Sequence, residues 1–127
     1  YQDPCLRSRH ADDTEGGRGI LMATGVEIAE MVRAGARGRC CGGGGGVPLL
    51  APESAAAMAE ARYEQAAETE ATAVVTACPL CRGQLAAAAR VREDGPAVMD
   101  LAVLLEEALD ASLAEGEAPF PGLPGGP

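Results

Sequence analysis

Apolar and polar positions alternate with clear periods along much of the chain. Tyr1–Pro4 reads as the tail of a strand, and residues 17–24 (GGRGILMA) as a short helix. Val26-Glu27-Ile28-Ala29-Glu30-Met31 alternates apolar with polar, the pattern of a half-buried strand. An Arg/Gly/Ala loop follows over 32–39, then Cys40-Cys41 and five glycines, Gly42 to Gly46. Neither helix nor strand tolerates that run, so it predicts a loop with special backbone angles. Pro52 suits a first helical position, and residues 52–68 are rich in Ala and Glu with no breaker, which predicts a helix. Met58, Arg62 or Tyr63, and Ala66 fall on one face of it. Thr72–Thr76 is a short buried strand with Cys78-Pro79-Leu80-Cys81 at its end. Residues 79–92 read as a helix between Pro79 and the stop at Gly95-Pro96. A further strand is expected at 97–99. A last helix covers about 101–114, where Leu101, Leu104, Leu105, Ala108 and Leu109 form the apolar stripe and Glu106, Glu107 and Asp110 the wet face.

Strands alternating with helices predict an α/β fold: a small parallel-type sheet flanked by helices in one domain over 1–114. The Gly/Pro-rich stretch 115–127 reads as a disordered tail or linker. Cys5 and Cys78 sit just past the carboxyl ends of expected strands, and Cys40 and Cys41 in a strand-to-helix connection. In open α/β sheets that edge is where ligands bind, so cysteines distant in sequence can meet there. The chain opens without Met, as though cut inside a strand, and is expected to be a fragment.

With 127 residues, 47% hydrophobic but only 2% aromatic, the core must be built from Ala, Val, Leu and Met. Such a core buries little area per residue, a reason to expect help from a bound metal or a partner surface. A net charge of −9, with every cation an Arg, argues against nucleic acid. No stretch approaches the roughly 20 apolar residues of a membrane span. No signal peptide is evident.

Five cysteines cannot all pair as disulfides, and without a secretory signal they read as metal ligands or redox centres. Cys78-Pro-Leu-Cys81 opens a helix, whose N-terminus stabilises a thiolate; that suits a metal ligand and equally a redox nucleophile. The adjacent Cys40-Cys41 pair decides more. Neighbouring cysteines seldom bridge each other, but both can contact a multinuclear cluster. Five thiolates exceed the four that tetrahedral zinc takes. Glycines beside them let backbone N–H groups approach inorganic sulfide. A thiol–disulfide enzyme would leave Cys5, Cys40 and Cys41 without a role.

The residues YQDPC (1–5), GVEIAEM (25–31), RCCGGGGG (39–46), VVTACPLC (74–81) and VMDLAVLLEEAL (98–109) resemble the cysteine-rich CCG domain. That domain occurs in heterodisulfide reductase, in iron–sulfur subunits of glycolate and lactate oxidation, and in anaerobic glycerol-3-phosphate dehydrogenase. GVEIAEM with RCCGGGGG leans toward the glycolate/lactate type; CPLC leans toward the heterodisulfide type. The resemblance implies that Cys5, Cys40, Cys41, Cys78 and Cys81 ligate a [4Fe–4S] cluster, noncubane in heterodisulfide reductase. It implies an electron-transfer domain of a multi-subunit oxidoreductase, here the C-terminal copy of a tandem pair. Its expected partners are a flavin-containing dehydrogenase subunit and a ferredoxin-like iron–sulfur domain, in the cytoplasm or on the inner face of the membrane through those partners. Alternatives are a cluster acting directly on a disulfide, and a structural zinc-binding or metal-free module. Gln2 stands where the family commonly has His.

Other features have blander readings. The glycine run lacks the Gly-Lys-Ser/Thr of a phosphate loop, and Val47-Pro48 is not expected to open a helix cleanly. His10 reads as a surface or hydrogen-bonding residue, and Asp3, before Pro4, as a turn or cap residue. Glu60, Glu64, Glu68 and Glu70 form a solvated face. No residue looks like a general base for oxidation of a hydroxy acid.

Overall fold

The computed structural model describes residues 1–92 and 94–115. Helix α1 (Gly16–Ala23) is followed by the short α2 (Val47–Leu50) and the long α3 (Pro52–Ala67). Strand β1 (Ala73–Thr76), helix α4 (Pro79–Ala89), strand β2 (Ala97–Asp100) and helix α5 (Leu101–Glu115) complete the order. The two strands pair in parallel, from Ala73 opposite Ala97 to Thr76 opposite Asp100, with α4 as the crossover. This is the expected α/β arrangement of a small parallel sheet flanked by helices.

Successive strand residues point to opposite faces, and β1 uses both. Val74 packs with Met31, Ala59, Tyr63, Ala66, Leu85 and Ala88, the core under α3 and α4. Val75 packs on the other face with Tyr1, Leu21 and Leu101. Small alanines on the inner faces of α3 and α4 let the two helices lie close. Tyr63, one of the few aromatics, anchors the first core and donates its hydroxyl to the Pro96 carbonyl at 2.8 Å. Tyr63→Phe leaves that buried carbonyl unpaired. It is expected to cost about 1–2 kcal/mol, read as a lower urea midpoint with unchanged slope.

Several expectations are corrected. Tyr1–Pro4 joins no ladder: its one backbone bond to the sheet is from the Gln2 N–H to the Val75 carbonyl, 2.8 Å. Pro4 has no N–H to extend the pairing. Val26–Met31 is irregular chain rather than strand. Its Met31 enters the core and Glu30 is held by Arg18 (2.5 Å), so side-chain anchoring takes the place of a ladder. Val47–Leu50 does form a helical turn, because Pro48 sits in the first turn, where the missing N–H has no helical partner anyway. The buried row of α3 is Ala55, Ala59, Arg62, Tyr63 and Ala66, while Met58 is exposed. Helix α4 stops at Ala89, short of the expected 92. On α5 only Leu101 is fully buried; Leu104, Leu105, Ala108 and Leu109 are half-buried. Glu60, Glu64, Glu68 and Glu70 are exposed as expected. The expected tail, but for Glu115, lies outside the described residues. Among the described residues no helix is long and apolar enough to cross a membrane.

Candidate metal centre

Three loops and one helix start bring the cysteines to the carboxyl end of β1. Cys78 caps α4, and Cys81 lies in that helix's first turn, where the unpaired N–H groups of a helix N-terminus favour negative charge. Cys40 and Cys41 end the irregular stretch before the glycines. Cys5 follows the buried segment Tyr1–Pro4 and opens a π-helical turn, Leu6–His10. Gln2 is bound to Val75, so Cys5 and Cys78 each lie three residues beyond that anchor.

The sulfurs of Cys41 and Cys81 are 3.0 Å apart and both residues are buried. Cys5, Cys40 and Cys78 are half-buried, and all five thiols are free of disulfides. No hydrogen bond links Cys5 to another described cysteine; its neighbours act through the backbone, with Arg7 and Ser8 N–H groups on the Pro4 carbonyl. Among the described residues, no three His, Cys, Asp or Glu side chains converge closely enough to hold one metal ion. His10 is exposed on the turn after Cys5.

The glycines act on the sulfurs directly. The Gly42 N–H donates to Cys40 Sγ (3.4 Å) and the Gly43 N–H to Cys41 Sγ (3.5 Å). Gly42 holds φ at +79°, and the loop then turns through Gly45 and Gly46, also at positive φ. Gly43 lies so close to α4 that a Cβ there would be 2.9 Å from the Leu80 carbonyl. This chain therefore offers free thiols, backbone donors aimed at two of them, and a helix N-terminus behind two others. That donor set fits a thiolate-ligated cluster.

A hydrogen bond from the Cys81 thiol lowers Cys41 to about 6, outweighing burial, and the Gly43 N–H adds to the effect. Cys81 is pushed up, because losing its proton would place two buried thiolates side by side. In the cluster-free protein, Cys41 is thus a thiolate at neutral pH and Cys81 its donor. The lowered pKa of Cys41 contributes stability that is complete above its unfolded value of about 8.5 and lost as pH falls through 6. The raised pKa of Cys81 contributes stability that is lost as pH rises past that same unfolded value. Cluster-free protein is therefore expected to be most stable near pH ~8.5, with one thiol titrating near 6 in ultraviolet absorbance. Cys41→Ser should abolish that step; a single transition near the unperturbed thiol value in the parent protein would disprove the pairing.

Two polar residues brace the cysteine-bearing segments. Asp3, expected to cap a turn, instead accepts from Arg18 at 2.6 Å and from the Gly35 N–H at 2.7 Å. Burial alone would raise its carboxyl, but these partners outweigh it and hold it below the usual range. Arg62 and Gln2 form a buried pair that composition and periodicity left unmarked. The available signal was an Arg on the apolar face of an Ala-rich helix.

Residues 1–86 match the cysteine-rich domain family known as CCG. The chain belongs to the CCG family. A "probable membrane-anchored ferredoxin" of Chromohalobacter salexigens is 38% identical over 87% of this chain and 17% of its own length. The dihydromethanophenazine:CoB–CoM heterodisulfide reductase of Methanosarcina barkeri has a subunit that is 38% identical over 88% of this chain and 28% of its own length. A probable iron–sulfur-binding oxidoreductase of Bacillus subtilis, FadF, is 32% identical over 92% of this chain and 17% of its own. The CCG chain thus spans less than a third of each of these relatives. No solved structure matches it.

Proposed function

We propose that this CCG domain binds an iron–sulfur cluster through Cys5, Cys40, Cys41, Cys78 and Cys81 and serves as an electron-transfer domain of a larger oxidoreductase. The observation that carries this is the buried Cys41–Cys81 sulfur pair with backbone N–H groups on the Cys40 and Cys41 sulfurs. A bound cluster supplies a site that takes up and releases single electrons. The chain's own contribution is to hold the thiols free, donate hydrogen bonds to their sulfurs and keep water from Cys41 and Cys81.

The names of the similar proteins support the same class: a ferredoxin, a heterodisulfide reductase subunit and an iron–sulfur-binding oxidoreductase. The cluster is read as [4Fe–4S], with a flavin-containing subunit and a ferredoxin-like domain as partners. Membrane association would come through such partners. This domain carries no general base beside the thiols, so oxidation of an organic substrate is assigned to a partner. A structural zinc reading lacks the three-ligand convergence that one ion requires.

The 38% identity to a heterodisulfide reductase subunit favours one second reading, direct action on a disulfide. The deciding experiment is anaerobic purification and reconstitution with iron and sulfide. Roughly four iron and four sulfide per chain, with visible absorbance and a paramagnetic reduced state, support the cluster. Zinc alone, or no metal, overturns it. Turnover of a disulfide by the reduced protein would select the second reading.

A further inference from the structure

Arg62 has no solvent exposure at all. Its guanidinium donates from Nε to Gln2 Oε1 (2.5 Å) and from Nη1 to the Arg33 carbonyl and Gln65 Oε1, both 2.8 Å. Its Nη2 is buried without a hydrogen-bond partner. Every partner it does have is neutral, so the charge is not balanced by any ion pair among the described residues. Burial pushes its pKa down, yet Arg keeps its proton at any physiological pH. A buried cation without a counter-charge is strongly unfavourable, so the missing anion is informative.

The opposite charges that act on Arg62 are Asp3, Glu30 and Cys81. Asp3 and Glu30 are both taken by Arg18, at 2.6 and 2.5 Å. Arg39 adds like-charge repulsion. Cys81, on the helix packed against α3, is the one of the three not bound by another cation. The same guanidinium also ties together the ligand-bearing segments. Gln2 lies on the segment that ends in Cys5, and Arg33 on the loop that runs into Cys40. Gln2 extends the tie by donating from Nε2 to the Arg39 carbonyl at 3.4 Å.

We propose that Arg62 is the buried counter-charge of the thiolate-ligated cluster and the positioning residue that joins its ligand loops. The inference rests on the iron–sulfur reading above. A fixed positive charge in a water-poor interior favours the more negative, reduced state, and so raises the reduction potential.

The test uses Arg62→Met, Arg62→Gln and Arg62→Lys in the purified, cluster-loaded chain. Iron content is measured together with the potential, by redox titration followed through paramagnetic resonance. The neutral variants are expected to lower the potential. At the parent's midpoint the reduced-to-oxidised ratio should fall on the order of tenfold, which is ~59 mV for a one-electron couple. Arg62→Lys should stay close to the parent. The rise in melting temperature on cluster loading should also be smaller in the neutral variants, a readout independent of electron transfer. If Arg62→Met does not fold, Arg62→Gln keeps a polar group for Arg33 and carries the comparison. Loss of iron in both neutral variants with retention in Arg62→Lys also supports the proposal. An unmoved potential in a loaded neutral variant overturns it. Equal shifts, or equal loss of iron, in all three variants reduce Arg62 to a scaffold residue and overturn the counter-charge role. No iron in the parent removes the iron–sulfur reading and this inference together, whereas the other failures leave that reading standing.

Discussion

Cys41→Ser abolishes cluster assembly: iron per chain after anaerobic reconstitution is expected to fall at least about tenfold. Loss of an outer partner of a metal ligand already costs about 10–100-fold in affinity, and loss of a ligand costs more. Cys41 is the strongest candidate among the five because three features converge on it. It is buried, its sulfur lies 3.0 Å from that of Cys81, and it accepts the Gly43 N–H at 3.5 Å. A lowered pKa, to about 6, means that it meets a metal already deprotonated at neutral pH. Serine matches the shape but ionises far less readily and binds iron poorly. The measurement is iron and acid-labile sulfide per chain, with circular dichroism to show that the fold persists. Parental iron content in a folded Cys41→Ser protein would remove Cys41 from the ligand set.

The second large effect comes from a residue that carries no chemistry. Gly42→Ala is expected to destabilise the domain by roughly 2–4 kcal/mol, through backbone strain and a clash together. The φ of +79° is costly for any residue with a Cβ. The new methyl would also lie 2.6 Å from the Ala55 carbonyl and 3.0 Å from Ala55 Cα, both backbone atoms of α3. A helix backbone cannot move aside as a flexible side chain does, so the loop must shift, and Cys40 and Cys41 with it. Cluster content should therefore fall as well. Gly44→Ala is the matched control. A Cβ there meets nothing within 4 Å, so a change within about ±0.5 kcal/mol is expected. Equal urea midpoints for the two variants would show that the close packing of Gly42 on α3 carries no energetic weight.

The glycine run shows how far sequence reading reached and where it stopped. Five successive glycines announce a loop with unusual angles beside a pair of cysteines. They do not say which of the five is indispensable. Gly42 and Gly43 are pressed against α3 and α4, while Gly44 is open, and only the packing of those helices separates them. The same limit applies to Val26–Met31. Its alternation is real, and Met31 does enter the core, but a strand also needs a neighbour with free backbone groups. Periodicity within one segment contains no information about that neighbour. At Val47–Leu50 the error ran the other way, since a proline read as a breaker stands where a helix tolerates it.

Local chemistry determined much of this protein. Breaker-free alanine and glutamate made α3, a short apolar run made β1, and Pro79 after Cys78 started α4. Those features act over a few residues, so the α/β order and the five cysteines could be read directly from the chain. Tertiary structure alone decided which thiols touch and which charges are buried. Cys41 meets Cys81 across 40 residues, and Arg62 meets Gln2 across 60. Asp3 reaches Arg18 and Gly35 from the chain's third position. Desolvation and pairing energies depend on what lies next to a group in space. They become readable only when distant segments have packed, and this centre is assembled almost wholly from distant segments.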